Sequence, residues 1–120
     1  VTATTATGPA SPLTLLVDTA SDVPLPANSS TSLLQGASAT VSGSGHLVQF
    51  VGGSQAVNNG AVQVSVTVDG IAVYEDSAGT HFSFNTPLSA GPHVIEFIAY
   101  ALNGSSAMNS ASLIVTDLGL

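Results

Sequence analysis

The sequence predicts an all-β protein, a Greek-key sandwich of about seven short strands with one more strand near the N-terminus. Three observations predict it. Val62-Gln63-Val64-Ser65-Val66-Thr67-Val68 alternates without a break, which puts its valines on one face of a strand. Asp69-Gly70 follows at once, the two-residue signal of a hairpin turn. No segment keeps a helical period; Ala99 to Met108 comes nearest, and Gly104 with its serine neighbours interrupts it.

The elements follow in order. Ser11 to Thr19 reads as an N-terminal strand, with Leu13, Leu15 and Val17 on one face and Thr14 and Leu16 on the other. A stretch poor in strand character comes next, holding Pro24, Pro26 and Asn28-Ser29-Ser30-Thr31-Ser32. Segments of that composition often act as linkers. Residues 1–32 are therefore expected to form a strand and linker, and residues 33–120 the sandwich. Leu33 to Val41 is a weak strand and Gly45 to Val51 a clearer one. Asn58-Asn59-Gly60 marks a turn before the valine strand. Ile71 to Glu75 returns from the hairpin, Ser77 to Thr80 turns, and His81 to Asn85 carries both Phe82 and Phe84 on one face. Pro87 to Pro92 is a loop. His93 to Tyr100 is almost continuously apolar, as a central strand should be. Asn103 to Ser106 turns, and Ser112 to Asp117 closes the chain.

Composition restricts the function. The 120 residues contain no Lys and no Arg against seven Asp and Glu, a formal charge of −7. Without a cationic side chain to neutralise phosphate, the chain is not expected to bind nucleic acid. It also offers no cleavage site to proteases that cut after Lys or Arg, which suits an exterior setting. Hydrophobic residues make up 44% and charged residues 6%. So little charge with so much apolar character implies surface covered by a partner or by glycans. With aromatics at 5% and no Trp, the core is expected to be mainly Val, Leu, Ile and Ala. No apolar run approaches the roughly 18 residues of a membrane span. The start at Val1 is read as a processed end, the signal peptide removed. Because no carboxylate has a Lys or Arg partner to lose, tolerance of low pH is expected.

Four stretches carry a resemblance. Gly36-Ala37 to Val41-Ser42-Gly43, then Val66 to Val73 with its Val-Asp-Gly hairpin, then Phe82-Ser83-Phe84, then Leu88-Ser89-Ala90-Gly91-Pro92-His93-Val94-Ile95 resemble, in this order, bacterial-type immunoglobulin-like domains of secreted and surface proteins. The resemblance covers roughly residues 33–117. It implies an immunoglobulin-like sandwich that serves as spacer, adhesin or filament subunit. The strand-plus-linker organisation of the N-terminal third resembles donor-strand filaments, including the extracellular threads and bundling pili of archaea. That resemblance implies a homopolymer in which Leu13, Leu15, Leu16 and Val17 dock into a neighbouring subunit. Two placements of this strand fit the residues: donor to a neighbour, or first strand of its own domain.

Candidate chemistry is sparse. Asn28-Ser29-Ser30 and Asn103-Gly104-Ser105 are N-glycosylation acceptor patterns in expected turns, so covalent glycans on Asn28 and Asn103 are expected. His46, His81 and His93 lack metal-ligand spacing. Asp69, Glu75 and Asp76 cluster near one hairpin but lack the alternating acidic run of a calcium loop. There is no G-x-S-x-G elbow, and Ser44-Gly45-His46 reads as a turn. With Tyr74 and Tyr100 the only tyrosines and no Trp, a sugar-cleaving cleft or sugar platform lacks its aromatic floor. The expectation is thus a secreted, non-enzymatic, cofactor-free subunit of a cell-surface filament, built by donation of the N-terminal strand. A spacer or adhesive module of a larger surface protein is the alternative, and a carbohydrate-binding module a more distant one.

Overall fold

The computed structural model describes residues 13–102 and 106–119. Nine strands lie among them: β1 (Leu13–Leu25), β2 (Ser30–Ser32), β3 (Ala39–Gly43), β4 (Leu47–Ala56), β5 (Val62–Val68), β6 (Ile71–Ser77), β7 (His81–Pro87), β8 (Gly91–Ala101) and β9 (Ser106–Asp117). A single 3₁₀ turn, Asn59–Ala61, precedes β5. Two sheets pack face to face. The first has the order β1-β9-β4-β7; the second has β2-β8-β5-β6, with β3 also on β8. Every strand ladder is antiparallel. The protein is an all-β sandwich, as the alternation predicts.

The valine strand shows why. Val62, Val64 and Val66 are buried, while Gln63 between them is exposed. From β8 come Ile95, Phe97, Ala99 and Ala101, and from the facing sheet Val48, Phe50, Leu113 and Val115. Fully burying such side chains contributes about 1.5–3 kcal/mol each before ordering costs. The aromatics hold more of the core than their number suggests. Phe50 stacks on Phe84 at 5.0 Å, Tyr74 on Phe82 at 4.3 Å, and Phe97 meets Phe82 edge-on at 5.8 Å. The cluster joins β6 and β8 of one sheet to β4 and β7 of the other, inside a core that is otherwise mainly Val, Leu, Ile and Ala, as expected. Gly52 makes room for it: a Cβ there would come within 2.6 Å of the Phe82 ring.

The N-terminal third departs from the sequence reading. The expected strand ends near Thr19, yet β1 continues to Leu25, and the expected linker supplies β2. β1 pairs with β9 of its own chain from Leu13↔Asp117 to Leu25↔Ser106, with a bulge between Thr14 and Leu16. Leu25 is 1% exposed. Pro24 counts against a strand in sequence, and Asp22 takes a positive φ of 54°. At a sheet edge neither costs a ladder that a second neighbour needs. Beyond β2, Leu33 and Leu34 are buried outside any strand, tied by the Leu33 amide to the Phe97 carbonyl at 2.8 Å.

Candidate functional site

Two histidine–carboxylate clusters and one edge strand are the places where this sandwich offers more than packing. The first cluster grows from the Asp69-Gly70 turn. Both residues have positive φ, 53° and 82°, the backbone of a type I′ hairpin, which tolerates Asp and favours Gly. That turn leans on the start of β8. The Asp69 amide donates to the Val94 carbonyl at 2.8 Å, and the Val94 amide donates to Asp69 Oδ1 at 2.9 Å. His93 Nδ1 meets Asp69 Oδ2 at 2.6 Å. The other ring nitrogen, Nε2, lies 2.8 Å from the Ser89 carbonyl and 3.3 Å from Ser89 Oγ.

Serine, histidine and aspartate therefore stand in line, and the protonation decides what they can do. Both ring nitrogens face acceptors that need a proton, so the imidazolium is favoured. The Asp69 carboxylate, chiefly, raises the His93 pKa above its ordinary value. In return the His93 hydrogen bond holds Asp69 below the usual carboxylate range. A ring that keeps both protons is a poor general base toward Ser89. The arrangement clamps the β5–β6 hairpin to the β7–β8 connection. Beside it lies a cavity of about 480 Å³ with Val68, Ile71, Val73, Pro87 and Leu88 in its walls.

The second cluster ties the turn before β4 to the end of β9. The Ser44 hydroxyl donates to Asp117 Oδ2 and lies 2.9 Å from His46 Nδ1. His46 Nδ1 is 3.4 Å from Asp117 Oδ1, which also accepts from the Gly119 amide at 2.8 Å. Asp117 is 6% exposed. The Ser44 hydroxyl first, then the Gly119 amide, hold its carboxyl below the usual range. Here a single ring nitrogen faces both serine and aspartate, so no proton path runs through the ring. The turn expected at Ser44-Gly45-His46 is present and fastened.

The carboxylates are thus not without partners, although none is Lys or Arg. The expected acid tolerance meets an opposing effect, because Asp69 and Asp117 each hold a turn in place. Asp69, Glu75 and Asp76 do not converge. Asp76 accepts from the Ser77 amide at 2.7 Å, and Asp69 is engaged by His93. Among the described residues no three potential metal ligands gather. No described helix is long and apolar enough to cross a membrane.

Of the strand residues singled out, Leu13 and Val17 are 62% and 61% exposed, while Leu15 and Leu16 are half-buried and pack against the core. Asn28 is exposed in a turn at φ 55°, its amide donating to the Ala101 carbonyl at 2.8 Å. Asn103 lies outside the described residues. Sequence reasoning missed both clusters. The only local cue was the Asp-Gly turn; His46 and Asp117 are brought together by topology alone.

No protein-family model matches the chain. No curated protein matches it either. Among solved structures, a crystal structure of FlhE is similar, with a TM-score of 0.51 at 16% identity over 90% of this chain and 98% of that one. At that identity the likeness concerns the fold.

Proposed function

We propose that the chain is a non-catalytic structural subunit of an extracellular filament, an immunoglobulin-like module in which β1 is the exchangeable strand. One observation carries the reading. Among the described residues β1 is an edge of its sheet, its backbone ladder is with β9 alone, and it joins β2 through the exposed residues Pro26, Ala27 and Asn28. A strand held this way forms the same ladder with β9 of its own chain or of a neighbour, so exchange loses no contact. A short hinge holding Asn28 in a left-handed conformation favours opening. Repeated in one direction, the exchange builds a homopolymer with Leu13, Leu15, Leu16 and Val17 at each junction. A chain without Lys or Arg suits an exterior filament, and an exposed Asn28 suits a glycan.

A second reading is a self-contained spacer or adhesive module. The ladder from Leu13 to Leu25 within one chain, with Leu25 in the core, favours it. A disulfide separates the two. Thr19 and Ser112 are register partners across β1 and β9, and the chain has no cysteine of its own. Thr19→Cys with Ser112→Cys, oxidised after concentration and slow refolding, gives a covalent ladder on a non-reducing denaturing gel if strands are exchanged. A single monomer band rejects exchange and leaves the spacer module.

A further inference from the structure

The outer face of the β1-β9-β4-β7 sheet carries a feature that strand exchange does not use. Val17, Ile114 and Val51 are register partners across three neighbouring strands, and the row ends at Ser83 on β7. Ile114 and Val51 alternate with buried residues and Val17 with half-buried ones, so all three point outward. Their exposures are 61%, 39% and 37%, high for branched aliphatic side chains set side by side. They form a low apolar ridge running across the strands.

The next row, one step toward the β1 C-terminus, is Thr19, Ser112 and Gly53. On β1 and β9 its side chains are small. At Gly53 the His81 ring folds over the backbone, where any Cβ would collide with it. A shallow trough of about 370 Å³ runs from Thr19 and Ser112 towards Ser110 and Gln55, with His81 in its wall. On the ridge's other flank, Gln49 and Thr116 are uncharged.

The charge map identifies what can meet this face. The chain carries −7, and none of the seven carboxylates stands in these three rows. Asp18 bonds the Gln35 amide and Asp117 bonds Ser44. Asp22 lies beyond Ser21, past the trough. Asp69, Glu75, Asp76 and Glu96 belong to the other sheet or its hairpin. Two copies of so acidic a chain repel, but they can meet here without bringing carboxylates together. The face is also self-complementary, because a two-fold axis between the rows sets each ridge in the partner's trough.

From this we infer that the outer face of the β1-β9-β4-β7 sheet is a self-association surface, on which a second copy of the chain packs with Val17 and Ile114 of the ridge over the partner's Thr19–Ser112 trough and Val51 against the partner copy's ring over Gly53. The contact is reversible on dilution, which distinguishes it from strand-exchanged polymers and makes it independent of them.

Sedimentation velocity of the full chain over a concentration series tests it. The expected result is a monomer–dimer equilibrium that Ile114→Glu weakens by at least roughly tenfold, since each copy then brings a carboxylate into an apolar contact. Gln63→Glu, exposed on the opposite sheet, leaves it unchanged. A chain that stays monomeric to about 1 mM, or a Gln63→Glu variant weakened as much as Ile114→Glu, overturns the proposal. Should Ile114→Glu fail to fold, Ile114→Cys decides instead. A short bis-maleimide gives covalent dimers with Ile114→Cys and none with Gln63→Cys, and equal yields refute the face.

Discussion

Replacing Leu25 with alanine asks how firmly β1 belongs to its own chain. Leu25 is 1% exposed and sits at the last rung of the β1–β9 ladder, opposite Ser106. Leu→Ala substitutions in cores cost about 2–5 kcal/mol, more where the surroundings cannot close over the hole. Closure is restricted here. Pro24 and Pro26 fix the backbone on both sides, so the strand cannot slide inward to fill the space. A loss of about 3–4 kcal/mol is expected, a large part of the stability of a domain this size. It lowers the thermal midpoint by roughly 12–25 °C and the urea midpoint by about 1–3 M. The measurement is urea unfolding of the dilute monomer followed by circular dichroism. Leu13→Ala is the internal control: at 62% exposure it should stay within about 0.5 kcal/mol. If Leu25→Ala shifts the dilute monomer by less than about 1 kcal/mol, β1 does not pack on its own sandwich in solution, and the in-chain ladder is refuted.

Two more outcomes are expected. Stability should peak between about pH 4 and pH 6.5. His93 is raised from 6.5, so its contribution is complete below that value and lost as pH rises through its folded pKa; Asp69 and Asp117 are lowered from 3.8, so theirs is complete above that value and lost as pH falls through their folded pKa values. Urea midpoints should fall on both sides of the window, and His93→Gln should flatten the alkaline side; wild-type midpoints that rise steadily from pH 6 to pH 8 contradict the clamp. Native protein should be heavier than the bare 11.8 kDa chain by at least one glycan released on removing N-linked sugars, and Asn28→Gln should lose one; a bare mass rejects glycosylation.

Much of the sandwich was legible because its central strands alternate. β5 matches the valine run to the residue, and the hairpin turn falls at Asp69-Gly70. Reading failed where a local rule was overruled by position. Pro24, Pro26 and the serine-rich stretch argue against strand, but β1 is an edge and β2 needs only three residues against β8. β4 extends past Gly52-Gly53, which look like a break. The first glycine clears the Phe82 ring and the second lies under His81. β9 starts at Ser106, six residues before the apolar run that announces it, because small residues suffice between β1 and β4. The clusters were illegible for another reason. Ser44 and Asp117 are 73 residues apart, and Asp69 and His93 are 24 apart, so no local pattern relates them.

Those pairings explain how a chain without Lys or Arg accommodates its carboxylates. Each described partner is a neutral donor or a histidine. Asp18 takes the Gln35 amide, Asp76 the Ser77 amide, Glu96 the Thr67 hydroxyl, Asp117 a hydroxyl and an amide, and Asp69 an amide and His93. Donors of this kind lie in the backbone or on short side chains, so holding them orders less side chain than a Lys or Arg would. Three of the carboxylates hold turns: Asp18 the loop after Leu34, Asp69 the β5–β6 hairpin and Asp117 the approach to β4. These three acidic side chains therefore act as turn anchors. Salt that screens the net charge of −7 finds no Lys or Arg pairs to weaken. Screening then relieves self-repulsion within one chain and between two, and the carboxylate-free rows of the outer face of the β1-β9-β4-β7 sheet become easier to cover with a second copy.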